Sequence, residues 1–310
     1  MNAGPMSPSK TTNLKSKIAD YGRLVRFSHT VFALPFALAS VALAWPKHPV
    51  TLRALLWILV AMIGARTAAM GFNRLADRNF DALNPRTQGW ELPQGKVTLS
   101  EAIVLTALAA AVFIFAARQL NWLCFVLSPV ALAIVFFYSL TKRFTWSSHF
   151  FLGLALSLAP VGAWLALSDM PADWRELIVP LSLGLAVLFW LAGFDVIYAL
   201  QDLEFDRKHG LFSIPARFGV AAALRWSGWF HLLTVFFLAG VGLSARLGII
   251  YWIGLSMISA ILFWEHRIVR PDDLSRVNRA FFDFNAYVSV GYLFTTLADI
   301  ALSPGAGFAG

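Results

Sequence analysis

Charge is scarce in this chain of 310 residues: Asp, Glu, Lys and Arg make up 14%, against 58% hydrophobic residues. With a mean hydropathy of +0.67, that ratio excludes a water-soluble surface, because one core of this size cannot enclose so much apolar area. Much of it must face lipid, in segments that satisfy their own backbone polar groups. Cysteine is nearly absent too. The single Cys124 excludes a disulfide framework and a cysteine metal site together. The first 28 residues are polar, and no apolar run followed by a small-residue cleavage site interrupts them. No cleavable signal peptide is therefore expected, and the chain is expected to begin in the cytosol.

What is present is a succession of apolar runs, each long enough at about 20 residues to cross about 30 Å of hydrocarbon. They fall near 28–46, 53–76, 99–118, 121–140, 148–168, 178–200, 222–244, 247–264 and 281–300. The expected fold is all-α: a polytopic membrane protein of nine transmembrane helices around a central cavity that opens to the lipid. Residues 21–302 read as one membrane domain, with flexible tails at 1–20 and 303–310. Lys and Arg outnumber Asp and Glu by 25 to 17, which in a soluble chain would raise nucleic acid as a partner. Position gives another cause. With the N-terminus inside, only Lys47, Arg53, Arg118, Arg175 and Arg246 fall on the outer side and Arg66 lies within the second span; every other Lys and Arg is cytoplasmic. That asymmetry orients a membrane protein. No nucleic-acid partner is expected, the bilayer is, and the two longest polar loops, 77–98 and 201–221, both face the cytoplasm.

Carboxylates at a membrane edge are costly and mark function by default. They concentrate in two places. The second span ends with Asn73, Asp77 and Asp81, and the sixth with Asp195, Tyr198, Asp202 and Asp206. Residues four apart share a helix face, where like charges destabilise a bare helix. A divalent cation between them removes the conflict. A set of carboxylates with an amide oxygen suits Mg²⁺, which keeps waters and borrows phosphate oxygens from a substrate. Basic residues follow both clusters: Arg78 and Arg86 after the first, Arg207, Lys208 and Arg217 after the second. The ligand these features imply is a diphosphate; the plainer reading of either cluster alone is a solvated helix end paired with nearby arginines.

With these motifs the chain resembles the UbiA superfamily of intramembrane aromatic prenyltransferases, which have nine transmembrane helices and two Asp-rich cytoplasmic motifs. The family's Asn-x-x-x-Asp-x-x-x-Asp motif matches Asn73, Asp77 and Asp81. Its Asp-x-x-Tyr-x-x-x-Asp-x-x-x-Asp motif matches Asp195, Tyr198, Asp202 and Asp206, and Tyr138 to Arg143 is similar to its Tyr-x-x-x-Lys-Arg turn. The resemblance runs over roughly residues 20–300.

The resemblance implies transfer of a polyprenyl group from an allylic diphosphate to an aromatic ring, with Mg²⁺ held by Asn73, Asp77, Asp81, Asp202 and Asp206. Asp77 and Asp202 are then catalytic through that metal. Ionising an allylic C–O bond leaves a negative diphosphate, which Lys142, Arg143, Arg78 and Lys208 are expected to stabilise. Asp195, seven residues before Asp202, is expected deeper on the same face, near the nascent cation or the departing proton. Tyr198 is available to orient it, or serves as a core tyrosine. Arg66 sits inside a span and requires an anionic partner: the carboxylate of an aromatic hydroxy acid, or structural pairing with Asp195. Tyr138 and Tyr198 complete the expected aromatic subsite.

His29, His149 and His231 show no metal spacing and read as packed residues. A cation-coupled transporter is the alternative from another class, disfavoured because the carboxylates stand at helix ends beside basic residues rather than at mid-span. A CDP-alcohol phosphotransferase is disfavoured because its Asp-Gly-x-x-Ala-Arg signature is absent. The leading acceptor is 4-hydroxybenzoate, as in ubiquinone synthesis at the bacterial inner membrane. The runner-up is a dihydroxynaphthoate of menaquinone synthesis, because Arg26 to Pro35 departs from the more usual start. Homogentisate and haem are less favoured acceptors.

Overall fold

The computed structural model describes residues 14–25, 32–168 and 173–302. The segment Arg26–Val31, which carries most of the departure noted above together with His29, lies outside the described residues, as do the first 13 residues and the tail 303–310. Among the described residues the only β-type pairing is an isolated bridge between Arg270 and Asp273. Everything else regular is helical: α1 (Leu14–Leu24), α2 (Leu34–Ala44), α3 (Leu52–Leu83), α4 (Leu99–Leu120), α5 (Trp122–Thr141), α6 (Ser148–Ser168), α7 (Ile178–Ala199), α8 (Leu203–Lys208), α9 (Ile214–Phe218), α10 (Val220–Ser244), α11 (Ile249–Ile268), the single turn α12 (Val277–Arg279) and α13 (Asn285–Leu302).

Seven of these are long and apolar enough to cross a bilayer: α3, α4, α5, α6, α7 with its short flanking turns, α10 and α11. They make a multi-pass membrane protein. The nine expected spans are thus seven by this measure, and the two remaining runs differ for separate reasons. Within the described residues the first run is helical only as the 11-residue α2, about 16 Å at 1.5 Å per residue. The ninth begins as a π-helical turn, Ala280–Phe284, and the α13 that follows carries Asn285, Thr295, Thr296 and Asp299, which dilute its hydropathy.

Helix ends are set by local chemistry. Thr51 caps α3 by accepting from the Ala54 N–H. Thr98 and Glu101 form a reciprocal capping box at the start of α4. Asn121 closes α4 and opens α5 by accepting from the Cys124 N–H, so two spans turn on one residue. Gly219, at φ +81°, makes the left-handed turn from α9 to α10 that a side chain would strain.

The helices close in a ring. α3 packs on α4 and α5, α6 on α5 and α7, α7 on α10, α10 on α11, α11 on α13, and α13 on α2, which returns to α6. Gly153 allows the α6 backbone to meet the carbonyl of Leu188 on α7 without a Cβ between them. α7 is buried along most of its length, in an aromatic cluster with Phe32, Phe36, Trp190, Phe194 and Phe281. α4 and α5 instead turn Leu108, Phe115, Trp122, Val126 and Phe137 outward, as a lipid-facing surface requires. α3 is about 48 Å long, so its last turns project past the hydrocarbon and carry Asn73, Asp77 and Asp81 to the membrane edge.

Candidate active site

The last turns of α3, α5 and α7 and the first turn of α6 surround a polar cavity of about 280 Å³. From α3 it receives Asn73, Asp77 and Asp81 on one face. Asn73 Nδ2 donates to Asp77 Oδ2 at 2.9 Å. Asp77 Oδ1 accepts from Arg143 Nη2 at 3.0 Å, and Asp81 Oδ2 accepts from Arg74 Nη1 at 3.0 Å. Arg74 is further held by the ring of Trp90, 4.0 Å away.

The second cluster does not lie on one helix. α7 tightens into a 3₁₀ turn at Leu200–Asp202 before α8 begins, so Asp195, Asp202 and Asp206 approach the cavity from the end of α7, the 3₁₀ turn and α8. Asp202 accepts from Arg86 through both oxygens, from Nε at 2.9 Å and from Nη2 at 2.5 Å, and from Asn84 Nδ2 at 3.0 Å. Such bidentate pairing is the strong form of a charge-assisted bond. Arg86 Nη1 also donates to Tyr198 Oη at 3.1 Å. Asp206 Oδ2 accepts from Ser213 Oγ at 3.0 Å and lies 3.8 Å from Lys142 Nζ. Asp195 Oδ2 is 2.6 Å from His149 Nδ1.

Each carboxylate is therefore balanced by a base or by histidine, and like charges are not simply stacked. Burial pulls the Lys142 ammonium toward its neutral form, but Asp206, Asp202, Asp195 and Asp77 outweigh it and hold its pKa above the ordinary lysine value. Burial likewise works against the Arg86 cation, and the hydrogen bond and charge of Asp202 overcome it. Both bases stay charged. Among the described residues no three His, Cys, Asp or Glu side chains converge closely enough to enclose a metal. The donor set is still all hard oxygen, spread around an open cavity beside cations. That fits Mg²⁺, which completes its shell with water and phosphate oxygens. Asn73, Asp77, Asp81, Asp202 and Asp206 are the side chains that would hold it.

Several sequence expectations are relocated. Arg78 and Lys208 are exposed and lie outside the cavity lining. Arg74 and Arg86 stand where those two were expected. Tyr198 serves Arg86 and stacks on Phe281, with centroids 4.0 Å apart, and it does not orient Asp195. His149 performs that contact, and His231 lies 2.9 Å from His266, so neither histidine is merely packed. Arg66 does not pair with Asp195: its Nε is buried without a hydrogen-bond partner.

A second cavity of about 280 Å³ lies deeper between α3, α4, α5 and α6. Its walls are almost wholly apolar, among them Ile58, Met62, Phe113, Leu127 and Ala159. The two cavities share Arg66, Tyr138 and Leu156. Arg66 lies seven residues before Asn73, about 10 Å deeper along α3. The protein thus offers a charged chamber at the membrane edge, an apolar one within it, and, where they meet, an arginine whose Nε has no hydrogen-bond partner among the described residues.

Comparison with known proteins agrees with this plan. The 4-hydroxybenzoate octaprenyltransferase of Pseudomonas aeruginosa is 33% identical over 257 residues, covering 81% of this chain and 82% of its own. That of Methylobacillus flagellatus is 30% identical over 295 residues, covering 92% and 96%. The apo structure of a UbiA homologue from Aeropyrum pernix superposes with a TM-score of 0.80 at 35% identity, covering 88% of this chain and 98% of its own. A UbiA homologue from Archaeoglobus fulgidus, solved with GPP and Mg²⁺, shares the fold at a TM-score of 0.68 and 24% identity, covering 90% and 99%. The UbiA prenyltransferase family model matches residues 33–288, a stretch that holds both aspartate clusters and, apart from Phe32, the lining of both cavities, and the chain belongs to that family.

Proposed function

We propose that this prenyltransferase moves a polyprenyl group from polyprenyl diphosphate to the ring of 4-hydroxybenzoate, with Mg²⁺ as cofactor, in ubiquinone-type quinone synthesis. The observation that carries the acceptor is Arg66: a half-buried arginine inside a span, whose buried Nε has no hydrogen-bond partner among the described residues, at the junction of the charged and apolar chambers. A buried charge requires a counter-ion, and an aryl carboxylate supplies two oxygens in the geometry that a guanidinium fork accepts.

Arg74, Arg86, Lys142 and Arg143 face the end of the substrate where negative charge develops as the allylic C–O bond breaks. Bound Mg²⁺ would add neutralisation of the diphosphate leaving group. The apolar chamber holds the isoprenoid chain and keeps water from the cationic carbon. The ring's π electrons form the new C–C bond beside the hydroxyl. Asp195 then accepts the ring proton, which restores aromaticity. Tyr138, shared by both chambers, walls the ring in.

The same reading counts α2 and α13 as the first and ninth spans around that cavity and treats 21–302 as one domain in the bacterial inner membrane. It sets the N-terminus and the charged chamber on the cytoplasmic side, in keeping with the basic residues at the ends of α3 and α5. The test is transfer of radiolabelled polyprenyl diphosphate to 4-hydroxybenzoate and to dihydroxynaphthoates in membranes, each with Mg²⁺ and with EDTA. A Mg²⁺-dependent lipid product with 4-hydroxybenzoate is expected. Product with a dihydroxynaphthoate alone reassigns the pathway. No product with either acceptor, from intact inserted protein, reopens the transporter reading.

A further inference from the structure

His149 connects Asp195 to the loop behind the second aspartate cluster. The imidazole is wholly buried in the first turn of α6. Its Nδ1 is 2.6 Å from Asp195 Oδ2, and its Nε2 is 3.3 Å from the backbone nitrogen of Ile214. An amide N–H can only donate, so Nε2 is the lone-pair nitrogen. That fixes the tautomer: Nδ1 carries the hydrogen and gives it to Asp195. Ile214 itself is anchored, because Ser213 before it caps α9 and donates to Asp206. The ring is thus held from behind and presents one N–H to one oxygen of Asp195. The other oxygen, Oδ1, has no hydrogen-bond partner among the described residues, and Asp195 lines the charged chamber.

We propose that His149 is a positioning residue for proton removal: by holding Oδ2 of Asp195 it fixes the carboxylate so that Oδ1 faces the ring proton. In that step the ring C–H bond breaks, its electron pair restores the aromatic ring, and the proton goes to Asp195 Oδ1. Diphosphate has already left with the electrons of the allylic C–O bond. The inference rests on the proposed prenyl transfer only in needing an acceptor ring that loses a proton, so it holds for either acceptor.

Two near-isosteric variants separate the contacts of the imidazole. His149→Asn retains a donor where Nδ1 stands and loses the acceptor at Nε2; His149→Gln does the reverse. Each is compared with wild type for transfer, for polyprenol released by hydrolysis of the diphosphate, and for the isotope effect of an acceptor deuterated beside the hydroxyl. In His149→Gln, kcat is expected to fall about tenfold to a hundredfold, with KM for polyprenyl diphosphate unchanged. A ring isotope effect should emerge as proton removal becomes limiting, and the share of polyprenol should rise. His149→Asn should stay within a few-fold of wild type with no new isotope effect. The product ratio and isotope effect do not depend on how much of each variant folds, which keeps a folding defect apart from a positioning one. Equal behaviour of the two variants, or a wild-type isotope effect and product ratio in His149→Gln, overturns the proposal. If wild-type protein transfers to no aromatic acceptor, the function fails instead, before either variant is read.

Discussion

Asp77 and Asp81 ride on one unbroken helix of 32 residues, whereas Asp195, Asp202 and Asp206 are spread over the end of α7, a 3₁₀ turn and α8. The first cluster takes its geometry from helical periodicity. The second takes its geometry from partners: Arg86 and Asn84 fix Asp202, Ser213 and Lys142 fix Asp206, and His149 fixes Asp195. Removing the partly exposed Asp77 from the first should therefore cost chemistry with little change in fold, whereas Asp81, paired with Arg74 where both are buried, also supports the fold. Removing one from the second should cost both.

The largest expected effect tests that contrast directly. Asp77→Ala and Asp202→Ala should each lower Mg²⁺-dependent transfer by about a thousandfold or more, since both remove charge that would hold the metal and diphosphate. Their stabilities should part. Asp77 and its partner Arg143 each expose 31% of the side chain, and such a half-exposed pair contributes about 1 kcal/mol or less. Asp202 exposes only 8% and holds a bidentate Arg86 that is itself partly exposed, so its loss should cost more, about 1.5–3 kcal/mol for the charge-assisted bonds. Thermal unfolding in detergent should show a large drop for Asp202→Ala alone. Equal Tm values would mean that the second cluster is as self-supporting as the first. Asp81→Ala and Asp206→Ala should also abolish turnover.

Arg66→Ala comes next. The lost bidentate bond to an aryl carboxylate is worth about 1.5–3 kcal/mol, or roughly tenfold to more than a hundredfold in KM for the aromatic acid. KM for polyprenyl diphosphate should hardly move. A parallel rise in both would return Arg66 to a structural role within α3.

Lys142→Gln should have a smaller effect, about tenfold in KM for the diphosphate, and it carries a pH signature. The folded pKa of Lys142 lies above its unfolded value. Its contribution to stability is therefore complete below the unfolded value, near 10.4, and is lost as pH rises through the folded one. Wild type and Lys142→Gln should keep a constant Tm gap from pH 7 to about 10, and the gap should narrow only above that. Narrowing near pH 8 would show that Asp206 and its neighbours do not hold the charge on Lys142.

The contrast between the clusters also explains what is legible in the sequence. The spacing of Asn73, Asp77 and Asp81 fixes a common face once the segment is helical, and α3 is helical throughout. Seven of the nine apolar runs were legible for the same reason: length and hydropathy are properties of a segment by itself. Partner choice is not. Arg86 meets Asp202 across 116 residues, and His149 meets Asp195 across 46. Such pairs arise only when α3, α6 and α7 pack, so in sequence His149 stands isolated and Asp195 stands available to Arg66. One such pairing is nonetheless local to α3. Arg74 stands seven residues before Asp81, two turns along the same face, whereas Arg78 follows Asp77 by one residue and points about 100° away.

That angular argument yields the smallest effect and the sharpest control. Arg78 and Lys208 flank the two clusters in sequence but stand exposed outside the cavity, so a charge at either position is screened by solvent before it reaches the diphosphate. Arg78→Ala and Lys208→Ala should each leave kcat and both KM values within about twofold of wild type, and Tm unchanged. Arg86→Ala, which removes one positive charge just as they do, should cost about a hundredfold in transfer and several degrees in Tm, because it strips Asp202 of a bidentate partner. Were Arg78 or Lys208 to match Arg86, the diphosphate would have to bind outside the charged chamber, along the exposed faces of α3 and α8.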